Sequence, residues 1–555
     1  MIRIIYAIIY VFVFIGNVQS QTVGLINYNE ASFEGYTLFN APDNTTYLIN
    51  NCGERIQSWV ADADLVGEAE LRTDGQLLRM INRSDNDGFF QTDGAATHLE
   101  LVAIDGSVNW SYQFADSTKR IHHDMKSLPN GNILFLAYES RSELEAIAYG
   151  RDPATINDGE LWMEQIVEVD PTRPVGMEIV WEWHFWDHLH QDFDDTKVGF
   201  SNRIDRDPLL LDINFYENLG DKDWIRFTSI DFFPMMNQIM ISSKALGEIY
   251  ILDHSTTTQQ AASHFGGFSN RGGDLLYRWG NSASYRQGDS TNRKLWNQAE
   301  AHWVPVGFAD EGKIMIFNGS PDVNSTTSSI EIITPPVDDY ISGNYIFIPG
   351  GSFTPFDPDW KYNIPSTDNF FELKGSTAQR LENGNTLFIQ GVIGKIFEIT
   401  PDREIVWEYI NPITTTGPIS QGDMVPNTNG ANENPIFRST RYPDAYDGLA
   451  DFDLNPNDPL ELNFPMPYIC QIISAVNNPE FVNAKIYPNP ATEKVGIMFR
   501  EYQNYQDLRL YNGQGKMVIQ KNVDHPEVYF NVSTLNSGIY YLVVDGMFGG
   551  KVIIE

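Results

Sequence analysis

A strand that ends near a tryptophan recurs along this chain, and no other feature narrows the fold as much. It reads ERIQSWV (Trp59), GSVNWSYQF (Trp110), EIVWEWHF (Trp181, Trp183), DLLYRWGN (Trp279), DPDWKYN (Trp360) and EIVWEYIN (Trp407). A second pattern, LPNGNILFLAYE from Leu128 to Glu139 and LENGNTLFIQG from Leu381 to Gly391, sets Asn-Gly between apolar runs. Asn-Gly suits the left-handed positions of a tight hairpin, so these stretches read as turns between antiparallel strands. Helical periodicity is scarce. Repeated short sheets with unequal insertions describe a β-propeller better than a sandwich. Six units follow from the six tryptophan strands, and the first strand of each blade, following the tryptophan strand of the blade before, lines a central channel. The tryptophans themselves read as filling between blades.

The composition changes near Pro479. Residues 485–555 hold seven basic and seven acidic side chains, whereas the whole chain of 555 residues carries a net charge of −37. The acidic excess therefore belongs to the preceding part. The tail alternates apolar and polar residues between turn signals and reads as a small β-sandwich. The opening MIRIIYAIIYVFVFIGNVQSQT has a basic Arg3, a short apolar run from Ile4 to Ile15 and small or polar residues up to Ser20. That is the pattern of a secretory signal peptide, too short to span a bilayer. The predicted organisation is all-β: signal peptide 1–20, six-bladed propeller 21–475, linker 476–484 and β-sandwich 485–555. Strong negative charge argues against nucleic acid or an anionic membrane as partner. An anionic substrate needs a local basic pocket. Cys52 and Cys470 lie near the two ends of the propeller sequence. In an oxidising compartment they either pair, tying first strand to last, or remain as two thiols; their placement favours the bridge.

The tail resembles the C-terminal sorting domain of the Bacteroidetes type IX secretion system, through YPNPATEKV, LYNGQGKMV and LNSGIYYLVV. That resemblance implies recognition of residues 485–555 by the secretion machinery, export across both membranes, and release or attachment at the cell surface. Residues from about 45 to 470 resemble the arylsulfate sulfotransferase family. The matching strings include YLINNCGERIQSW, HHDMKSLPNGNIL, WEWHFWDHLHQDFD, DWIRFTSIDFF, GGDLLYRWGN, AHWVPVGF and NPIFRSTRY, in the family's order. That resemblance implies transfer of a sulfuryl group from a phenolic sulfate ester to a phenol, with a channel histidine as carrier and no nucleotide. Small aromatic sulfates and phenols are then the partners. No Walker loop, dinucleotide fingerprint or Gly-x-Ser-x-Gly elbow is present, and no cofactor is expected.

The resemblance places His302, in EAHWVPVG, at the acceptor position, and His123, beside His122, at a second channel position. Neighbouring residues on a strand face opposite ways, so only one of His122 and His123 faces the channel; His123 is the choice, because it aligns with His302 when the LPNGN turn is the reference, with Asp124 as the group that fixes its tautomer. Arg226 stands where the family has histidine, in Asp223-Trp224-Ile225-Arg226. Lys244 stands where many members have arginine. Both keep positive charge for sulfate oxygens, but an arginine cannot shuttle a proton. Ser376 and Thr377 are expected donors to the sulfuryl group. Arg438 and Arg441 enter from the last blade, either toward the channel or toward acidic partners. His184, His188 and His190 lie among carboxylates and taken alone suit a metal, but the resemblance carries no metal role there; a loop over the channel mouth is the expected reading. Two rivals remain beside transfer: hydrolysis with water as acceptor, and binding without turnover, which the departures at Arg226 and Lys244 favour.

Overall fold

The computed structural model describes residues 22–83, 92, 94–157, 159–215, 221–320, 327–363, 375–428, 431–464, 470, 484–499, 507–512, 516–523, 525–544 and 547–554. The signal-peptide reading of residues 1–20 and positions 476–483 of the linker lie outside them, whereas Ala484, read as the linker's last residue, begins a strand. Two compact units divide the chain, Met1–Gln471 and Ile472–Glu555.

The first unit is nearly all-β and propeller-like. Among the described residues it holds six larger antiparallel sheets, each built on four strands in meander order. The second sheet runs Asp64–Leu71, Leu77–Asn82, His98–Val102 and Val108–Gln113. The third, fourth and fifth begin with Lys119–Ser127, Phe227–Phe233 and Glu300–Trp303. The first and sixth are shared by the two ends of the unit. Gly35–Ala41 pairs with Ser439–Pro443, and Gly24–Tyr28 pairs with Ile405–Ile410 outside the sheet that starts at Ala378–Arg380.

The leading strands of the six sheets form a ring, and side chains close it. Each strand donates a backbone N–H to a side chain of the strand before it. Leu71 donates to the Tyr442 hydroxyl (2.9 Å), Ser127 to Glu70 (3.0 Å), Ile230 to Asp124 (2.9 Å) and Ala301 to Ser229 (3.0 Å). Ala378 donates to Glu300, and Arg441 to Gln379 (2.8 Å). Sheets fanning from one axis leave the inner strands too far apart to pair backbone to backbone, so polar side chains span the gaps and satisfy the orphan amides.

The repeated tryptophans sit on the fourth strands of the sheets, and four of them fasten their sheet to the next. Trp59 donates its indole N–H to the Ala103 carbonyl (3.0 Å), Trp183 to Gly273 (2.8 Å), Trp279 to Pro355 (2.7 Å) and Trp407 to Asn51 (2.7 Å). Each acceptor lies between the third and fourth strands of the following sheet. The indole buries apolar area and delivers its single donor at the far end. At the Asn-Gly hairpin, Gly131 takes φ +90° and donates to the Leu128 carbonyl (2.9 Å), a conformation that glycine adopts without strain.

Cys52 and Cys470 form a disulfide with Cα atoms 5.5 Å apart, across 418 residues of sequence. In the second unit, Ala484–Tyr487, Lys494–Phe499 and Glu527–Asn531 form one sheet. Asp507–Asn512, Met517–Asn522, Gly538–Val544 and Met547–Ile554 form another. Val495, Ile497, Leu508, Leu510, Val528, Leu542 and Val552 make their common core.

Candidate active site

Two cavities open along the ring of inner strands. The first, of about 540 Å³, is lined by His123, Arg226, Lys244, Thr228, Arg438 and Ala299, with apolar walls from Leu65, Val66, Val392, Ile436 and Phe437. The second, of about 560 Å³, holds His302, Glu300, Lys126, Asp231, Glu68, Glu70 and Thr377. Arg438 lines both. Its buried guanidinium pairs with Asp124 (2.7 Å) and donates to the Thr228 (2.6 Å) and Ala299 (3.1 Å) carbonyls.

Bulges in neighbouring inner strands shape the first cavity. The ladder shifts between Val66 and Glu70, between Ile121 and Met125, and between Phe227 and Ser229. At or next to these shifts Gly67 (φ +66°), His123 (φ +54°) and Arg226 (φ +50°) adopt left-handed backbone. Such a conformation is costly for a residue with a Cβ and recurs where a side chain must be re-aimed. Space is cleared to match. A Cβ on Gly94 would fall 2.9 Å from Nε2 of His123, and one on Gly67 2.5 Å from the His123 carbonyl oxygen.

His123 is buried, and burial pushes its imidazole well below the usual histidine pKa; His122, Arg438, Arg226 and Lys244 push the same way. The ring is therefore neutral near pH 7. Its Nδ1 lies 2.9 Å from Nδ1 of His122, whose Nε2 lies 2.8 Å from Glu164 Oε2. Glu164 also accepts the Phe227 N–H at 2.7 Å. If His122 donates to Glu164, its Nδ1 accepts from His123 Nδ1–H, and the Nε2 lone pair of His123 is left for the cavity. The His122 ring stacks on Tyr138 with centroids 3.8 Å apart. The Tyr138 hydroxyl donates to Asp223 (3.2 Å), which also receives Arg226 Nε (2.8 Å). One network thus holds both the imidazole and the guanidinium.

His123, Arg226, Lys244 and Arg438 come together as one cationic site around a neutral imidazole. His302 does not join them. Both hairpins close on the same contact, Leu128 N–H to Asn132 and Val304 N–H to Lys313, each 2.8 Å. Counting back five residues gives His123 in one strand and Ala299 just before the other, so His302 corresponds to Lys126, which corrects its alignment with His123. Three residues of strand span about 10 Å, which carries His302 into the second cavity. There its Nδ1 is 3.3 Å from Glu300 Oε1. Burial works against protonation, but Glu300 outweighs it and raises the His302 pKa. Lys126 pairs with Asp231 (3.0 Å), and burial lifts the Glu68 carboxyl to about 7.

The other expectations divide. Thr377 lines the second cavity. Ser376 is fully buried and its hydroxyl accepts the Gly391 N–H (3.2 Å), so it is not poised for a substrate. Arg441 takes the second of its two alternatives, an acidic partner, and not the substrate-binding one. An odd separation from Arg438 turns it to the opposite face of the strand, where it pairs with Glu398 (2.7 Å) against the Trp407 ring. Asp124 is corrected as well: it holds Arg438 and the Ile230 N–H, while His122 and Glu164 orient His123. His184, His188 and His190 line neither cavity. Sequence reading missed Thr228, Glu164 and the alanine at 299. Only the alanine left a signal, the five-residue count back from the Val304-Pro305 turn.

A family model described as arylsulfotransferase matches residues 40–339, and one described as a secretion system C-terminal sorting domain matches residues 485–555. The sorting domain marks the chain for export to the cell surface or the medium and for contact with the secretion machinery. No helix among the described residues is long and apolar enough to cross a membrane. No curated protein matches the chain. Among solved structures, a protein of unknown function from Bacteroides caccae is 11% identical with a TM-score of 0.37, covering 74% of this chain and 99% of that one. A catalytically inactive virginiamycin B lyase from Staphylococcus aureus is 10% identical with a TM-score of 0.31, covering 71% and 90%. A β-propeller domain from Myceliophteria thermophila is 8% identical with a TM-score of 0.32, covering 71% and 87%.

Proposed function

The chain belongs to the arylsulfotransferase family, and on that premise we propose that the first cavity moves a sulfuryl group from an aryl sulfate to a phenol by way of His123. The observation that carries this reading is a neutral, buried imidazole facing a cavity whose charged groups, among the described residues, are Arg226, Lys244 and Arg438. The sulfate oxygens of the donor lie against these cations, and the apolar wall of Leu65, Val66, Val392 and Phe437 takes the aromatic ring.

In the first half-reaction Nε2 of His123 attacks sulfur. An N–S bond forms, the S–O bond to the ring breaks, and its electron pair leaves on the phenolate. Cations that face the sulfuryl and bridging oxygens stabilise that charge as it develops. Sulfonation at Nε2 makes Nδ1–H more acidic, and Nδ1 faces the His122–Glu164 pair, which shares the proton. In the second half-reaction the oxygen of the acceptor phenol attacks sulfur, the N–S bond breaks, and its electron pair returns to His123. The phenolic proton leaves to solvent or to the departed phenolate.

The same proposal extends to architecture. The six-sheet ring is a six-bladed propeller spanning 21–475, and the C-terminal unit is a β-sandwich that acts as the sorting domain over 485–555. Residues 1–20 are the signal peptide and 476–484 the linker. One observation favours a second reading, binding without turnover: the fifth sheet offers Ala299, just before its leading strand, where the third offers His123, so among the described residues the cavity holds a single imidazole. Turnover of a chromogenic aryl sulfate by purified protein, with and without added phenol, separates the cases. Release that needs phenol supports transfer, release without it supports hydrolysis, and no release supports binding alone.

A further inference from the structure

We propose that His188, His264 and Asp274 form a transition-metal site, suited best to Zn²⁺, outside both cavities. Nδ1 of His188 and Nδ1 of His264 approach the same Asp274 oxygen, at 2.8 Å and 2.7 Å. The three ligand atoms lie within 4.8 Å of one another, close to the width of one ion's coordination sphere. Two imidazole nitrogens and a carboxylate oxygen are the donor set of Zn²⁺ and its late first-row neighbours rather than of Ca²⁺ or Mg²⁺.

The surroundings orient the ligands. Nε2 of His188 lies 2.8 Å from the Ala261 carbonyl, so that nitrogen carries the hydrogen. In the neutral ring Nδ1 is then a lone pair aimed at a carboxylate oxygen, two acceptors face to face. A cation between them satisfies both, and an outer hydrogen bond from a ligating histidine to a carbonyl is the usual way such a ring is fixed. Trp183 stacks on His188 with centroids 5.4 Å apart and an interplanar angle of 2°, and its N–H holds the carbonyl of Gly273, next to Asp274. A Cβ on Gly273 would meet Nε2 of His188 at 2.6 Å. His188 is fully buried and His264 is 59% exposed, so the ion enters from the His264 side. It would staple the turn after the third sheet to the long connection between the last two strands of the fourth.

The test is titration of chelator-treated full chain with Zn²⁺ by calorimetry, alongside His264→Ala and Asp274→Asn, with Ca²⁺ as control. Expected is one equivalent of Zn²⁺ bound, a rise in Tm, and at least about tenfold weaker binding in either variant. No saturable Zn²⁺ binding, or equal binding in variants that remain folded, would overturn the site. If a variant fails to fold, Co²⁺ absorption of the unaltered protein decides. Intense visible bands of a four-coordinate ion support the site, and weak bands of an aqueous-like ion reject it.

Discussion

His123 is held by His122 and, through it, Glu164 of the same sheet, and its chemistry follows from how little of it can be protonated. Burial and the nearby cations depress its pKa below the ordinary 6.5. A base with a depressed pKa keeps its neutral, nucleophilic form until the pH falls through that lower value. The acid limb of kcat/KM for aryl sulfate therefore lies below 6.5, and the rate at pH 6 stays within about twofold of that at pH 7.5. A half-drop at or above 6.5 in a pH–rate profile would contradict this. Arg226 and Lys244 share the sulfate. Each charge-assisted contact is worth about 1.5–3 kcal/mol, so Arg226→Ala or Lys244→Ala should lower kcat/KM by about 10–100-fold, measured with one chromogenic donor. His302→Ala should change it by less than about threefold, since His302 lies beyond Arg438 in the other cavity. At this scale the sequence made the two cations legible, because each stood in a string with a strong local pattern. The Glu164–His122 and Asp223–Tyr138–Arg226 links were not legible, because they join positions 42 and 85 residues apart. No local pattern marks such a pairing.

Among the elements, the tryptophan strands and Asn-Gly hairpins could be read directly, since their periods and turn residues are local. What the tryptophans do was less visible. They fill space, and they also deliver an N–H to the next sheet. Trp407→Phe keeps most of the ring volume but leaves the buried Asn51 carbonyl without its donor. The expected cost is about 1–3 kcal/mol, read as a lower midpoint in chemical denaturation with an unchanged slope. An unchanged midpoint would remove the fastening role. The bulges at His123 and Arg226 were not foreseeable. Left-handed backbone at a histidine or an arginine runs against local preference, and only the clearance made by Gly67 and Gly94 allows it at His123.

At the scale of the whole molecule, the first unit closes by two routes, strand pairing between its ends and the Cys52–Cys470 bridge. The cysteine pairing was open in the sequence and is settled by the 5.5 Å Cα separation. Because the bridge closes so long a loop, the loop-entropy argument gives about 6 kcal/mol as an upper value, and removal of a native bridge usually costs about 2–5. Cys52→Ser/Cys470→Ser protein should show a clearly lower denaturation midpoint than the oxidised protein. Equal midpoints would mean that strand pairing alone secures the ring. The sorting tail was plain from its balanced charge and its motifs.

The whole scheme stands or falls on which histidine carries the sulfuryl group. Protein mixed with an aryl sulfate in the absence of acceptor, digested at neutral to alkaline pH and mapped by mass spectrometry, answers this directly. Expected is an adduct of roughly 80 Da on the peptide containing His123, lost on adding phenol and absent from His123→Ala. An adduct on the His302 peptide, or undiminished phenol-dependent turnover in His123→Ala, would contradict it.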